Sequence, residues 1–142
     1  MTPERERLIR ESWARFQPHA GSAAAVLYAH LFELDPLSER LFAATDMEAQ
    51  GRKLIETLEE IVKVLDQPEL LVSQVADLGR RHVGYGVRDA DYESLGAALL
   101  WTLEDTLGPA FTPEVRDAWS EAYLLLASVM RRAAARTSGV HS

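Results

Sequence analysis

Leu71-Val72-Ser73-Gln74-Val75-Ala76-Asp77-Leu78-Gly79-Arg80-Arg81-His82-Val83-Gly84-Tyr85-Gly86-Val87 is the stretch on which the fold turns. Leu71, Val75 and Leu78 recur at spacings of four and three, and His82 takes the next step on the same face of a helix. The pattern therefore predicts an imidazole aimed inward. After it, Gly84 and Gly86 oppose helix, since glycine costs about 1 kcal/mol relative to alanine and commonly ends a helix. Read from the residues alone, such a histidine is either a hydrogen-bonded core residue or the protein ligand of a buried iron centre.

Working outward, helical punctuation repeats along the chain. Thr2-Pro3-Glu4 and Thr112-Pro113-Glu114 each set a hydroxyl cap before a proline and an acid at the positive end of the helix dipole, and Asp35-Pro36 reads as a third such start. Apolar residues recur with helical period between them: Leu8, Ile9, Trp13 and Phe16; Leu27, Leu31 and Leu34; Leu54, Leu58, Ile61, Val62 and Leu65. Tyr92, Leu95, Leu99, Leu103 and Leu107 follow, then Val115, Trp119, Tyr123, Leu126 and Met130. The periodicity predicts an all-α domain with helices near 3–17, 20–34, 46–65, 69–82, 90–107 and 113–135 and a short turn of helix at 36–42. The domain is expected to occupy 1–136, with 137–142 as a loose tail.

Composition bounds what such a domain does. One domain of 142 residues is large enough to bury a core and a small cofactor, and it leaves no room for a second catalytic unit. Fifteen basic against twenty-two acidic residues give a net charge of −7 with no basic run, which disfavours nucleic acid and anionic membranes. With no cysteine, thiolate catalysis, iron–sulfur clusters and covalent haem attachment are excluded. The N-terminus, Met1 to Arg7, lacks the apolar core of a secretory signal, so the expected location is the cytoplasm. The apolar stretch near Ala122 to Met130 is far shorter than the roughly 20 residues that cross a bilayer, and no membrane insertion is expected.

Two polar residues sit on inward stripes. Gln50 lies one turn before Leu54, and Tyr28 continues into Phe32, so an amide and a phenol both point at the interior. They form either a polar ligand site in an apolar pocket or two core residues satisfied by backbone. Gly51, inside its helix, is either a tolerated surface glycine or the contact point of a close crossing with Ala24, which would bring Tyr28 and Gln50 together.

The order and spacing of these residues resemble the globin family, and especially neuroglobins and the single-domain bacterial globins related to flavohaemoglobins. The resemblance runs from Leu8-Ile9-Arg10-Glu11-Ser12-Trp13 through Val26 to Phe32, Pro36 and Leu41-Phe42, then Arg52-Lys53-Leu54 and Leu78-Gly79-Arg80-Arg81-His82. It continues in Leu107-Gly108-Pro109-Ala110-Phe111-Thr112-Pro113 and Ala118-Trp119-Ser120. It implies a globin fold around non-covalent haem b (protohaem IX, iron), with His82 as the proximal iron ligand and Phe42 packed flat on the haem. It implies a distal wall of Tyr28, Gln50 and Leu54, and a proximal or propionate edge lined by Tyr85, Val87 and Leu95. Lys53 is either placed to meet a propionate or simply a solvated lysine.

Two departures shape the expected function. Neuroglobins carry a second histidine where this chain has Gln50, and an amide is a poor iron ligand, so the ferrous iron is expected to be mainly five-coordinate. Tyr28 and Gln50 then donate hydrogen bonds to a bound gas. In flavohaemoglobins a tyrosine and a glutamate support the proximal histidine; Tyr92 matches the tyrosine, but the glutamate position aligns near Ala134. That weakens any peroxidase-like push. The resemblance thus implies reversible binding of O₂, CO and NO for oxygen storage, delivery or sensing. The alternative is a nitric oxide dioxygenase, which would need an external reductase because this sequence carries no flavin and nicotinamide portion. A haem-free helical interaction module is the third reading.

Overall fold

The computed structural model describes residues 1–83 and 87–140, with side chains described for 1–81 and 87–135. Among these residues there is helix and no strand. Six α-helices follow one another: α1 (Pro3–Phe16), α2 (Ala20–Leu34), α3 (Met47–Lys63), α4 (Pro68–Val83), α5 (Asp89–Leu107) and α6 (Pro113–Val140). Short 3₁₀ turns at Gln17–His19, Pro36–Phe42 and Gly108–Ala110 fill the corners. The expected helix bounds agree to within two residues except at the end, where α6 runs on to Val140 through most of the expected tail. Residues 141 and 142 lie outside the described residues.

Two of the three expected caps are made. Thr2 Oγ1 accepts from the Arg5 amide at 3.2 Å and Thr112 Oγ1 from the Val115 amide at 3.3 Å. Asp35 is a correction: its side chain makes no cap bond to the 3₁₀ turn at Pro36–Phe42. Its carboxylate is held elsewhere, accepting from Arg88 Nη2 at 2.9 Å and from Ser94 Oγ at 3.0 Å. A guanidinium and a hydroxyl outcompete the exposed amides of one turn because the former bond carries charge on both sides.

The core is the meeting of the apolar stripes. Ile9, Trp13 and Phe16 of α1, Leu27 and Leu31 of α2, Leu99 and Leu103 of α5, and Val115 and Trp119 of α6 are buried in one cluster. Burying each such side chain contributes about 1.5–3 kcal/mol. The Trp119 indole donates to Ser12 Oγ at 2.8 Å, and Ser12 lies within reach of the Leu8 and Ile9 carbonyls, so this polar group is buried with partners.

Three glycines set how closely helices approach. A Cβ on Gly51 would lie 3.1 Å from the Ala24 Cβ, so α2 and α3 cross at the two small residues the sequence singled out. Gly96 accepts the Tyr123 ring, where a Cβ would meet Cε2 at 2.6 Å. On α4, a Cβ at Gly79 would stand 2.5 Å from the Met130 carbonyl oxygen, so the helix that carries His82 lies backbone to backbone against α6.

Candidate functional site

The α2–α3 crossing creates the site. With Gly51 seated on Ala24, Gln50 and Tyr28 come together, and Gln50 Nε2 donates to Tyr28 Oη at 3.3 Å. Tyr28 is 6% exposed. Burial pushes its phenol above the ordinary value, with the bond from Gln50 pulling the other way, so the hydroxyl stays protonated at neutral pH. Because its oxygen accepts from Gln50, its own hydrogen is left to donate. Turning the amide over reverses the bond and frees the Gln50 hydrogens instead, so the pair presents a donor in either orientation.

Aromatic rings frame that donor. Phe42, at the end of the 3₁₀ turn, meets the Tyr28 ring edge-on at 5.3 Å and 67°, and lies 5.6 Å from Phe32. Leu54 and Leu95 are partly buried against the same core, Val87 is partly buried, and Lys53 is exposed. The structure thus brings Tyr28, Gln50 and Phe42 into contact. The His82 backbone belongs to α4, while its side chain and all of Tyr85 lie outside the described residues.

Beside it lies a charged cluster that periodicity did not reveal. Asp91 is 5% exposed. It accepts from the Arg88 amide at 2.7 Å and from the Arg88 guanidinium at 2.6 Å, and Arg40 stands 3.4 Å away. Burial raises its carboxyl, but the Arg88 bonds and the Arg40 charge outweigh this and hold it below the usual carboxylate range. Through Asp35 the same guanidinium ties the end of α2 to the start of α5. The sequence signal was the Arg88/Asp91 spacing of three at a helix start, which lets the carboxylate reach back to the amide that precedes the helix.

Tyr92, one turn into α5, is buried, and its backbone carbonyl accepts from Tyr123 Oη at 2.5 Å. Away from these groups, a cavity of about 20 Å³ lies between α1, α3, α5 and α6, lined by Ile9, Leu58, Val62, Leu99 and Trp119 among others. It has room for about one water molecule and its walls are apolar. Among the described residues no group of three or more His, Asp and Glu is arranged to hold a metal ion, and no helix is long and apolar enough to cross a membrane. What the described site offers is a protonated donor in an aromatic and aliphatic wall, the surroundings in which a small, partly charged acceptor is retained.

The family model described as Globin matches residues 25–130. Neuroglobin of Danio rerio is 33% identical, covering 94% of this chain and 92% of the relative. Neuroglobin of Tetraodon nigroviridis is 31% identical over 89% of this chain and 88% of its own. A flavohemoprotein of Xylella fastidiosa is 29% identical over 92% of this chain, which spans 33% of that protein's length. The structure of a hexacoordinated heme protein from an anhydrobiotic tardigrade superposes with a TM-score of 0.84 at 20% identity, covering 94% of each chain. At that identity the likeness is one of fold.

Proposed function

The chain belongs to the globin family, and on that premise we propose that it holds haem b and binds O₂, CO and NO reversibly. The observation that carries this reading is the Tyr28–Gln50 pair, a buried donor with aromatic neighbours and no counter-charge of its own. The residues present fit the group: Phe42 and Leu54 supply apolar and aromatic surface for a macrocycle, and Tyr28 supplies the polar handle.

His82 of α4 would hold the iron, Phe42 and Leu54 would pack on the porphyrin, and Val87, Tyr85 and Leu95 would line its edge. Lys53, exposed at one turn from Gln50, would pair with a propionate. Haem, when bound, supplies an iron with a position for a diatomic gas. The remaining work belongs to side chains. Tyr28 holds its proton and directs it at the ligand, Gln50 fixes the phenol, and the phenylalanines exclude water so that each hydrogen bond acts in a low-dielectric setting.

Gln50 replaces the histidine expected of neuroglobins and supports a five-coordinate ferrous state, in contrast to the hexacoordinated tardigrade protein. Such an open site supports storage, delivery or sensing of oxygen, and we propose the cytoplasm as the place where the protein does this. The relation to flavohemoprotein supports a second reading, oxidation of NO to nitrate with electrons from a separate reductase. Titration of the apoprotein with haemin tests the proposal: a Soret band is expected to grow to an end point of one haem per chain. A spectrum that stays that of free haemin would leave a haem-free helical module.

A further inference from the structure

One face of α6 is spaced symmetrically about its middle. Asp117, Glu121, Leu124, Leu125, Ser128 and Arg132 follow at steps of four, three, one, three and four, which keeps them within about 100° of one another around a helix. At the centre, Leu124 is 68% exposed and Leu125 49%, two adjacent leucines that the fold leaves largely uncovered. At the two ends, Asp117 and Arg132 are exposed, and neither has an oppositely charged partner among the described residues. Arg132 donates instead to Ser128 Oγ at 2.8 Å, which leaves the hydroxyl hydrogen of Ser128 to donate elsewhere. Glu121 is held on its flank by Arg5 of α1.

The chemistry changes along this stripe from acid, through apolar, to hydroxyl and cation. Turned about a two-fold axis at its centre, the stripe is its own complement: Asp117 faces Arg132 of the second copy, Glu121 faces Ser128, and Leu124 faces Leu125, each contact occurring twice. We propose that α6 is a self-association surface through which two copies of this chain pair antiparallel in this register. The rows Asp117-Glu121-Leu125 and Leu124-Ser128-Arg132 are neighbouring ridges at a spacing of four, so a ridge of one copy can seat in the groove of the other. Burial of the leucines drives the contact and the charges set its direction, since a parallel pairing would place Asp117 against Asp117 and Arg132 against Arg132. The net charge of −7 on each chain opposes association, so the attraction is local to the stripe. The stripe is about 22 Å long, and a single helix face buries less than the roughly 1,200 Å² of a standard interface, which makes the pairing weak and concentration-dependent. This surface is separate from the Tyr28–Gln50 pair and does not rest on the reading of that site.

Sedimentation velocity of the haem-loaded chain tests the proposal. The wild type is expected to pass from monomer to dimer as its concentration rises toward the order of 1 mM, the weak end of specific association. Asp117→Arg and Arg132→Asp should each weaken the dimer about ten- to a hundredfold, because each sets like charges together at both ends of the stripe. The first makes the chain less negative and the second more negative, so a general charge effect would move them in opposite directions. Mixed one to one, the two variants should pair with each other about as tightly as the wild type pairs with itself, since the bases of one then meet the acids of the other. Leu124→Lys should abolish the dimer while the helical circular dichroism is unchanged.

A wild type that stays monomeric across this range would overturn the proposal. So would a dimer that survives Leu124→Lys, opposite shifts in the two charge reversals, or a mixture of the charge-reversed variants that stays monomeric. Because the mixture regains association only if both variants are folded, it carries the test even where Leu124→Lys fails to fold.

Discussion

Replacing His82 by alanine is expected to abolish stable haem binding. The iron would lose its one bond to protein, and haem would be left with apolar contact and propionate pairing. The variant should retain haem weakly and show an altered ferrous spectrum, with added imidazole restoring much of the wild-type form by filling the space of the missing side chain. The helix should survive, because alanine has the highest helix propensity and Gly79 still anchors α4 on Met130. Unaltered ferrous and CO-bound spectra without imidazole would contradict the assignment.

The second large effect belongs to the distal pair. Hydrogen bonds contribute roughly 0.5–1.5 kcal/mol each, and more when the acceptor carries charge, as bound O₂ does. Losing this stabilisation should speed O₂ release about ten- to a hundredfold, since 1.4 kcal/mol is about a factor of ten. CO carries little charge on its outer atom and should be released at nearly the wild-type rate. Tyr28→Phe and Gln50→Leu are each expected to act selectively on O₂. Because the two side chains share the 3.3 Å bond, removing Gln50 also releases the phenol it orients, and the double variant should fall short of the sum. Stopped-flow release on the three variants measures this; equal changes for O₂ and CO would mean that the residues only shape the cavity.

These expectations draw on a part of the molecule that was open to reading from sequence. A glycine within a helix, a small residue at the right place in the preceding helix and two polar side chains on inward stripes together specify a close crossing, and Gly51, Ala24, Tyr28 and Gln50 occupy it. Helical periodicity carries that information because burial of one face is a property of a single segment. The charged contacts are of another kind. Asp35 lies 53 residues from Arg88, and Arg131 lies 42 from the carbonyl it binds. No local pattern distinguishes such charges from the solvated ones around them. Asp before Pro is a good local start signal, and for Asp35 only the tertiary fold supplies the stronger partner, Arg88.

The central claim is an iron held by His82 and left open beside the Tyr28–Gln50 donor. It is tested most directly by the visible spectrum of the reduced wild-type protein without gas. The account predicts one broad visible band, that of high-spin five-coordinate haem, which gives way to a sharp low-spin CO spectrum on adding the gas. A split low-spin spectrum before any gas is added would mean that another side chain closes the sixth position, and would contradict it.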